Sequence, residues 1–355
     1  MTVAVAGNNA ASLVYTPALD GLRCIAIALV IASHIVHPAH FGGDVGVDVF
    51  FVLSGYLITT ILMSDLAAST LSLVTFSARR MIRLAPALIL TVVLTIPIAL
   101  LISSQHRDVI LGGIFALLYL TPITSIIVPT PGSWFGHTWT LGLEEYFYLF
   151  WPVVLGWMFR RRLSWRTAAS LALGAGILLL VAKNIIDPSH TASAGQFRVG
   201  GIAIGCALAI FLRHHSWRHP LRGLVTSGVA IIVAGAFLAN DGPLSTAGYL
   251  IADFGAVIAI TGVMSGDRSM LRRFLETRPL VYLGRISYEI YLVHYPVLIG
   301  ATLALGVTPA VVAWWAVPLA IVIGAGMHAG FLPLQRILRD RLARTDRLAR
   351  TPERS

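Results

Sequence analysis

The stretch ARRMIRLAPALILTVVLTIPIALLIS, residues 78–103, decides the fold. Arg79, Arg80 and Arg83 stand at its head, and no charged side chain follows between Leu84 and Ser103. About 20 apolar residues are needed to cross the hydrocarbon core of a bilayer, and this run supplies them. A cluster of arginines at one end of such a run marks that end as cytoplasmic. The segment therefore reads as a membrane-spanning helix with a defined orientation.

Candidate runs of the same kind lie near 19–37, 45–65, 84–103, 109–128, 139–159, 168–184, 197–212, 222–239, 247–264, 281–300 and 309–332. The whole chain agrees: 57% of its 355 residues are hydrophobic and 12% charged, where soluble domains carry about 25% charged residues. That excludes an ordinary soluble protein, and the abundance of large apolar residues excludes a disordered or collagen-like one. Cys24 and Cys206 each sit inside an apolar run, which gives neither a disulfide framework nor metal-ligand spacing.

Arginine placement tests which runs cross. If 109–128 crossed, Arg160, Arg161, Arg162 and Arg166 would fall opposite Arg79, Arg80 and Arg83. Gly112, Gly113, Pro122, Pro129 and Pro131 break that run, which suits a re-entrant or short membrane-buried segment. The expectation is an all-α polytopic protein of about ten transmembrane helices plus that segment. With a cytoplasmic N-terminus, only Arg107, Lys183 and Arg198 then lie on the outer side. The formal charge of +10 thus reads as a topology signal and not as a nucleic-acid footprint.

Residues 1–15 form a cytoplasmic N-terminal segment without the basic n-region of a secretory signal, so the first span is expected to be retained. Residues 16–332 form the membrane domain, and 333–355 a basic cytoplasmic tail. The tail repeats Arg-Leu-Ala-Arg-Thr at 341–345 and 347–351, which suits a solvated, topology-fixing segment or a short helix on anionic membrane lipid.

Ionisable side chains inside spans are costly and serve as functional candidates by default. Arg23 and His34 are eleven residues apart on the first span, close to three helical turns, and so share a face. Asp48 follows a short loop, near enough to orient a histidine tautomer and raise its basicity. Glu144 and Glu145 open an apolar helix after His137-Thr138-Trp139; they either serve a site or complement the helix dipole. Adjacent positions diverge, so at most one of the pair faces a site shared with His34. Arg79, Arg80 and Arg83 carry topology, and their guanidinium forks also suit phosphate. Tyr291 and His294, three residues apart, share a helix face and either line a cavity or join two helices.

Together these segments resemble the acyltransferase type 3 family of bacterial integral-membrane O-acyltransferases. The resemblance rests on Leu19-Asp20-Gly21-Leu22-Arg23 with His34, on Gly46-Val47-Asp48 through Phe51-Val52-Leu53-Ser54-Gly55-Tyr56-Leu57-Ile58, and on Arg79-Arg80. It extends to His137-Thr138-Trp139 with Glu144, Phe147 and Tyr148, and to Ser287-Tyr288 with Tyr291, Leu292, His294 and Pro296. The five motifs occur in family order from about residue 16 to 330. Thr140-Leu141 stands where the family usually has Ser-Leu, and Asp44 adds an acid before Asp48.

The resemblance implies a ten-helix domain in the bacterial cytoplasmic (inner) membrane, with both termini cytoplasmic. It would take an acyl group, usually acetyl, from cytoplasmic acyl-CoA. Acceptors implied are hydroxyls of surface glycans, lipid-linked sugars or secreted metabolites, and some relatives carry a fused extracytoplasmic domain whose part a separate transferase would otherwise play. His34 and Arg23 would be the family's essential histidine and arginine, Glu144 its motif glutamate, and Arg79 and Arg80 its cytoplasmic pair.

Moving an acyl group from a thioester needs no metal; it needs a base and an oxyanion stabiliser. His34 is the expected base or acyl carrier, oriented by Asp48 or Glu144, with Arg23 stabilising donor or oxyanion charge. Arg79, Arg80 and Arg83 are expected to hold the CoA phosphates, and Trp139, Tyr148, Tyr291 and His294 to line the substrate site. The same His34, Asp48 and Glu144 also suit the proton relay of a secondary transporter, although no repeat typical of transporters is evident.

Overall fold

A computed structural model of the chain describes residues 15–36, 42, 44–127, 134–186, 197–215, 217, 219–239 and 245–350. The expected N-terminal segment up to residue 14 and the end of the tail, 351–355, lie outside the described residues. Among the described residues all regular structure is helical. The protein is an all-α, multi-pass membrane protein: among the described residues, eight helices are long and apolar enough to cross a bilayer.

These eight are α1 (Pro17–Ile35), α2 (Val45–Ala67), α3 (Leu73–Ile102), α7 (Trp165–Ile186), α8 (Gly200–His214, with the turn from 197), α10 (Ser245–Met264), α13 (Ser287–Leu305) and α14 (Pro309–Arg350). Two more of the expected runs also form helices. The first is α6 (Trp139–Arg160), which carries Glu144 and Glu145, and the second is α9 (Leu224–Leu238), which is apolar but shorter. The run 109–128 is split between α4 (His106–Leu117) and α5 (Thr121–Ile127). Tyr119, with a φ of 57°, breaks the chain between them. Twelve residues of helix rise about 18 Å, too little for a hydrocarbon core of about 30 Å.

Helix ends follow local chemistry. Pro17 starts α1 without losing a needed N–H. The Ser72 hydroxyl accepts from the Thr75 N–H at the head of α3, and Gly306, left-handed at φ 65°, ends α13. Between α10 and α11 (Met270–Leu275), the Asp267 carboxylate accepts from the backbone N–H groups of Gly223, Val225 and Ser269. Burial alone pushes this carboxyl up, but those three donors outweigh it and hold it below the ordinary aspartate range.

Two expected boundaries move. The run 281–300 breaks at Ile286, where α12 (Arg278–Arg285) ends and α13 begins; α12 lies against α1, with Gly284 in backbone contact with Asp20. At the other end, α14 does not stop before Pro333 but continues through Pro318 and Pro333 to Arg350. A proline removes one backbone hydrogen bond and bends a helix, yet the leucines and arginines that follow are good helix formers. The Gln335 amide donates to the Arg83 carbonyl at 3.2 Å, pinning the extension to α3.

The centre of the bundle is α2, which packs against α1, α6, α8 and α10. Its approach to α8 is backbone to backbone: a Cβ on Gly55 would collide with the Ile202 carbonyl, and one on Gly205 with the Val52 carbonyl. Small residues at such crossings let membrane helices pack without a hydrophobic driving force. Cys24 and Cys206 are buried free thiols, Cys206 within this same contact.

Candidate active site

A cavity of about 850 Å³ opens at the arginine-rich end of the bundle, between α1, α2, α3, α6, α13 and the extension of α14. Arg23, Arg79, Arg80 and Arg83 line it, with Arg339 from the α14 extension. Three arginines of α3 thus turn positive charge into one space. Four acids share the lining: Asp65 on α2, Glu144 and Glu145 on α6, and Asp340 on the α14 extension.

Both oxygens of Glu144 are engaged, one by the Ser54 hydroxyl and one by the Tyr148 hydroxyl, each at 3.0 Å. Arg80 lies with its guanidinium carbon 3.2 Å from the centroid of the Tyr148 ring and its Nε 3.8 Å from Glu145. Glu144, Tyr148, Arg80 and Glu145 are therefore one connected network. The Arg23 Nε is buried and has no hydrogen-bond partner among the described residues.

Thr140 and Tyr291 also line the cavity. The Tyr291 hydroxyl donates to the His137 carbonyl, so it accepts from the Thr140 hydroxyl, 2.7 Å away. His34 is not in the cavity lining. It lies beyond the Tyr291–Thr140 layer, in a cluster with His137, His294 and Tyr295. His34 is 5.2 Å from His294 and 4.9 Å from Tyr295, and His137 is 5.6 Å from His294, all between ring centroids.

Asp48 does not orient His34. Arg198 takes both its oxygens, at 3.2 Å and 2.6 Å, and also reaches Asp44 at 3.3 Å. Asp48 is fully buried and Arg198 is 3% exposed. The guanidinium lies over the rings of Tyr249, at 4.3 Å, and Trp139, at 5.6 Å. Trp139 therefore packs between this ion pair and Phe51 and does not line the cavity. Glu144 is likewise committed to Ser54 and Tyr148 and not to His34.

Arg23 and His34 also cannot share one reacting atom in this arrangement. Eleven residues rise about 16 Å, and helical side chains tilt towards the N-terminus, which carries the Arg23 chain away from His34. The structure brings together Arg23, Arg79, Arg80, Arg83, Glu144, Tyr148 and Tyr291 around the cavity, and His34 with His294 beyond it.

Several residues escaped the sequence reading. Arg198 was visible only as an outer-side charge, although its place at the head of an apolar run is the signal that singled out Arg23. Asp253, inside α10 and fully buried, carries the same signal; neither of its oxygens has a hydrogen-bond partner among the described residues. No sequence pattern predicts that Arg339 joins the cavity, because that depends on α14 running through Pro333.

A family profile described as an acyltransferase domain matches residues 16–327. The chain is 30% identical over 308 residues to O-acetyltransferase OatA of Staphylococcus aureus, covering 80% of this chain and 51% of that protein. It is 30% identical over 329 residues to peptidoglycan O-acetyltransferase OatA of Listeria monocytogenes, covering 83% of this chain and 51% of that protein. The chain spans about half the length of the curated relatives it matches. No solved structure matches it.

Proposed function

Because the chain belongs to the acyltransferase family whose domain profile covers residues 16–327, we propose that it is a membrane O-acetyltransferase acting on glycan hydroxyls, with acyl-CoA as donor. The relatives named as O-acetyltransferases, one of them a peptidoglycan O-acetyltransferase, support the reaction and the acceptor class. The observation that carries the donor assignment is the arginine-lined cavity of about 850 Å³. Its arginines suit the CoA phosphates, since guanidinium forks bind phosphate bidentately.

In this reading the arginine-rich end faces the cytoplasm, in the bacterial inner membrane. The CoA phosphates lie at Arg79 and Arg83, and the pantetheine arm runs inwards past Arg23 and Tyr148 towards Tyr291. The acceptor reaches His34 from the opposite end. His34 takes the hydroxyl proton as the carbon–oxygen bond forms; the carbon–sulfur bond breaks, and CoA leaves as a thiolate that picks up one proton, so the transfer is proton-neutral. Arg23 serves the donor and not the oxyanion, given its separation from His34.

Charge reversal by Arg79→Glu with Arg80→Glu should raise the KM for acetyl-CoA at least about tenfold and lower kcat less. An unchanged KM in folded protein rejects the phosphate assignment. His34→Ala should abolish transfer while acetyl-CoA binding persists. A protein that binds no acetyl-CoA yet moves a solute across vesicles would favour a transporter instead.

A further inference from the structure

His34, His137 and His294 stand on three different elements, and each spends one ring nitrogen on a backbone carbonyl. His34 Nδ1 lies 2.8 Å from the Val30 oxygen, His294 Nδ1 2.6 Å from the Tyr291 oxygen, and His137 Nε2 3.2 Å from the Leu292 oxygen. A carbonyl oxygen only accepts, so each of these nitrogens carries the proton. In the neutral rings the opposite nitrogens, His34 Nε2, His294 Nε2 and His137 Nδ1, are then lone-pair acceptors.

Two of these acceptors are anomalous. His294 is fully buried and His137 is 5% exposed, and neither His294 Nε2 nor His137 Nδ1 has a hydrogen-bond partner among the described residues. A buried polar atom left unpaired is destabilising and asks for a donor. The two rings lie 5.6 Å apart between centroids, and Tyr295 walls the cluster at 4.9 Å from His34 and 5.1 Å from His137. His34 and Tyr295 are the partly exposed members of the cluster. Among the described residues no group of His, Cys, Asp and Glu is arranged to hold a metal ion.

We propose that His137 and His294 form, beside His34, the subsite that binds the acceptor as a polyol. The reacting hydroxyl donates to His34 Nε2, and neighbouring hydroxyls of the same sugar donate to His294 Nε2 and His137 Nδ1. Such a subsite selects a ligand with several closely spaced O–H donors, a glycan, over an alcohol with one. The assignment rests on the reading of the protein as a glycan O-acetyltransferase, and it adds the two residues that recognise the acceptor.

The test compares binding of chitotriose and of acetyl-CoA to the full chain in detergent, by calorimetry, for the unaltered protein and for His137→Phe, His294→Phe and His294→Gln. Phenylalanine keeps the packing of a ring and loses the acceptor; glutamine loses the ring and keeps an acceptor oxygen and a donor. Each Phe variant should weaken chitotriose about tenfold or more, the worth of one to two buried hydrogen bonds. His294→Gln should retain more chitotriose affinity than His294→Phe. Acetyl-CoA affinity should stay within about twofold throughout, because its cavity lies on the other side of Tyr291. The proposal is overturned if the unaltered protein does not bind chitotriose, if a folded Phe variant binds it normally, or if His294→Phe proves milder than His294→Gln. Loss of acetyl-CoA binding by the unaltered protein, with chitotriose bound as described, would overturn the donor reading and leave the subsite standing.

Discussion

Asp48 shows most clearly how a residue can be found by sequence and still be misassigned. Its burial in a span was legible, since a charge there is costly and stands out. Its partner was not, because Arg198 is 150 residues away along the chain and only packing of α2 on α8 joins them. A short loop to His34 made the wrong pairing look local. The cavity residues fared differently: Arg79 and Arg83, and Glu144 and Tyr148, are each four apart, so helix geometry alone put each pair on one side. Removing one partner of a buried pair typically costs roughly 3–5 kcal/mol, whereas replacing both with apolar groups can be neutral. Asp48→Asn should therefore lower the melting temperature in detergent, and Asp48→Leu combined with Arg198→Met should melt closer to the unaltered protein than Arg198→Met alone. A double variant less stable than both singles would mean the pair itself is stabilising.

At the scale of elements, the apolar runs were readable because each approaches the length of a bilayer crossing, and the glycine and proline breaks in 109–128 marked it as different. The boundaries at 286 and 333 were not readable. Ile286 is apolar and looks continuous with its span, while Pro333 looks like a stop although α14 passes through it. That continuation has a consequence for the cavity, since it carries Gln335 onto the Arg83 carbonyl and Arg339 into the lining. Truncation after Leu334 should raise the acetyl-CoA KM about threefold to tenfold, the range expected when one charge-assisted phosphate contact and its support are lost. An unchanged KM in the truncated, folded protein would leave the extension with no part in donor binding.

For the molecule as a whole, the arrangement is two-ended. A cavity lined by arginines opens at one end, a histidine cluster sits towards the other, and Tyr291 touches both. Of the 26 basic residues, five arginines line that cavity, beside the acids Asp65, Glu144, Glu145 and Asp340. The sequence pointed to this polarity through arginine placement, but the layer separating Arg23 from His34 appears only once α6 and α13 are packed together. In the proposed reaction acetyl passes from a donor at the arginine-rich end to a hydroxyl at the opposite end. The most direct measurement uses purified protein in sealed vesicles, with radiolabelled acetyl-CoA outside and chitotriose trapped inside. For the fraction of protein whose arginine-rich end faces outwards, label should appear on the trapped glycan, and His34→Ala should abolish it. Labelling of the glycan only when it shares a compartment with acetyl-CoA, or no labelling by a folded protein in either arrangement, would contradict that reaction.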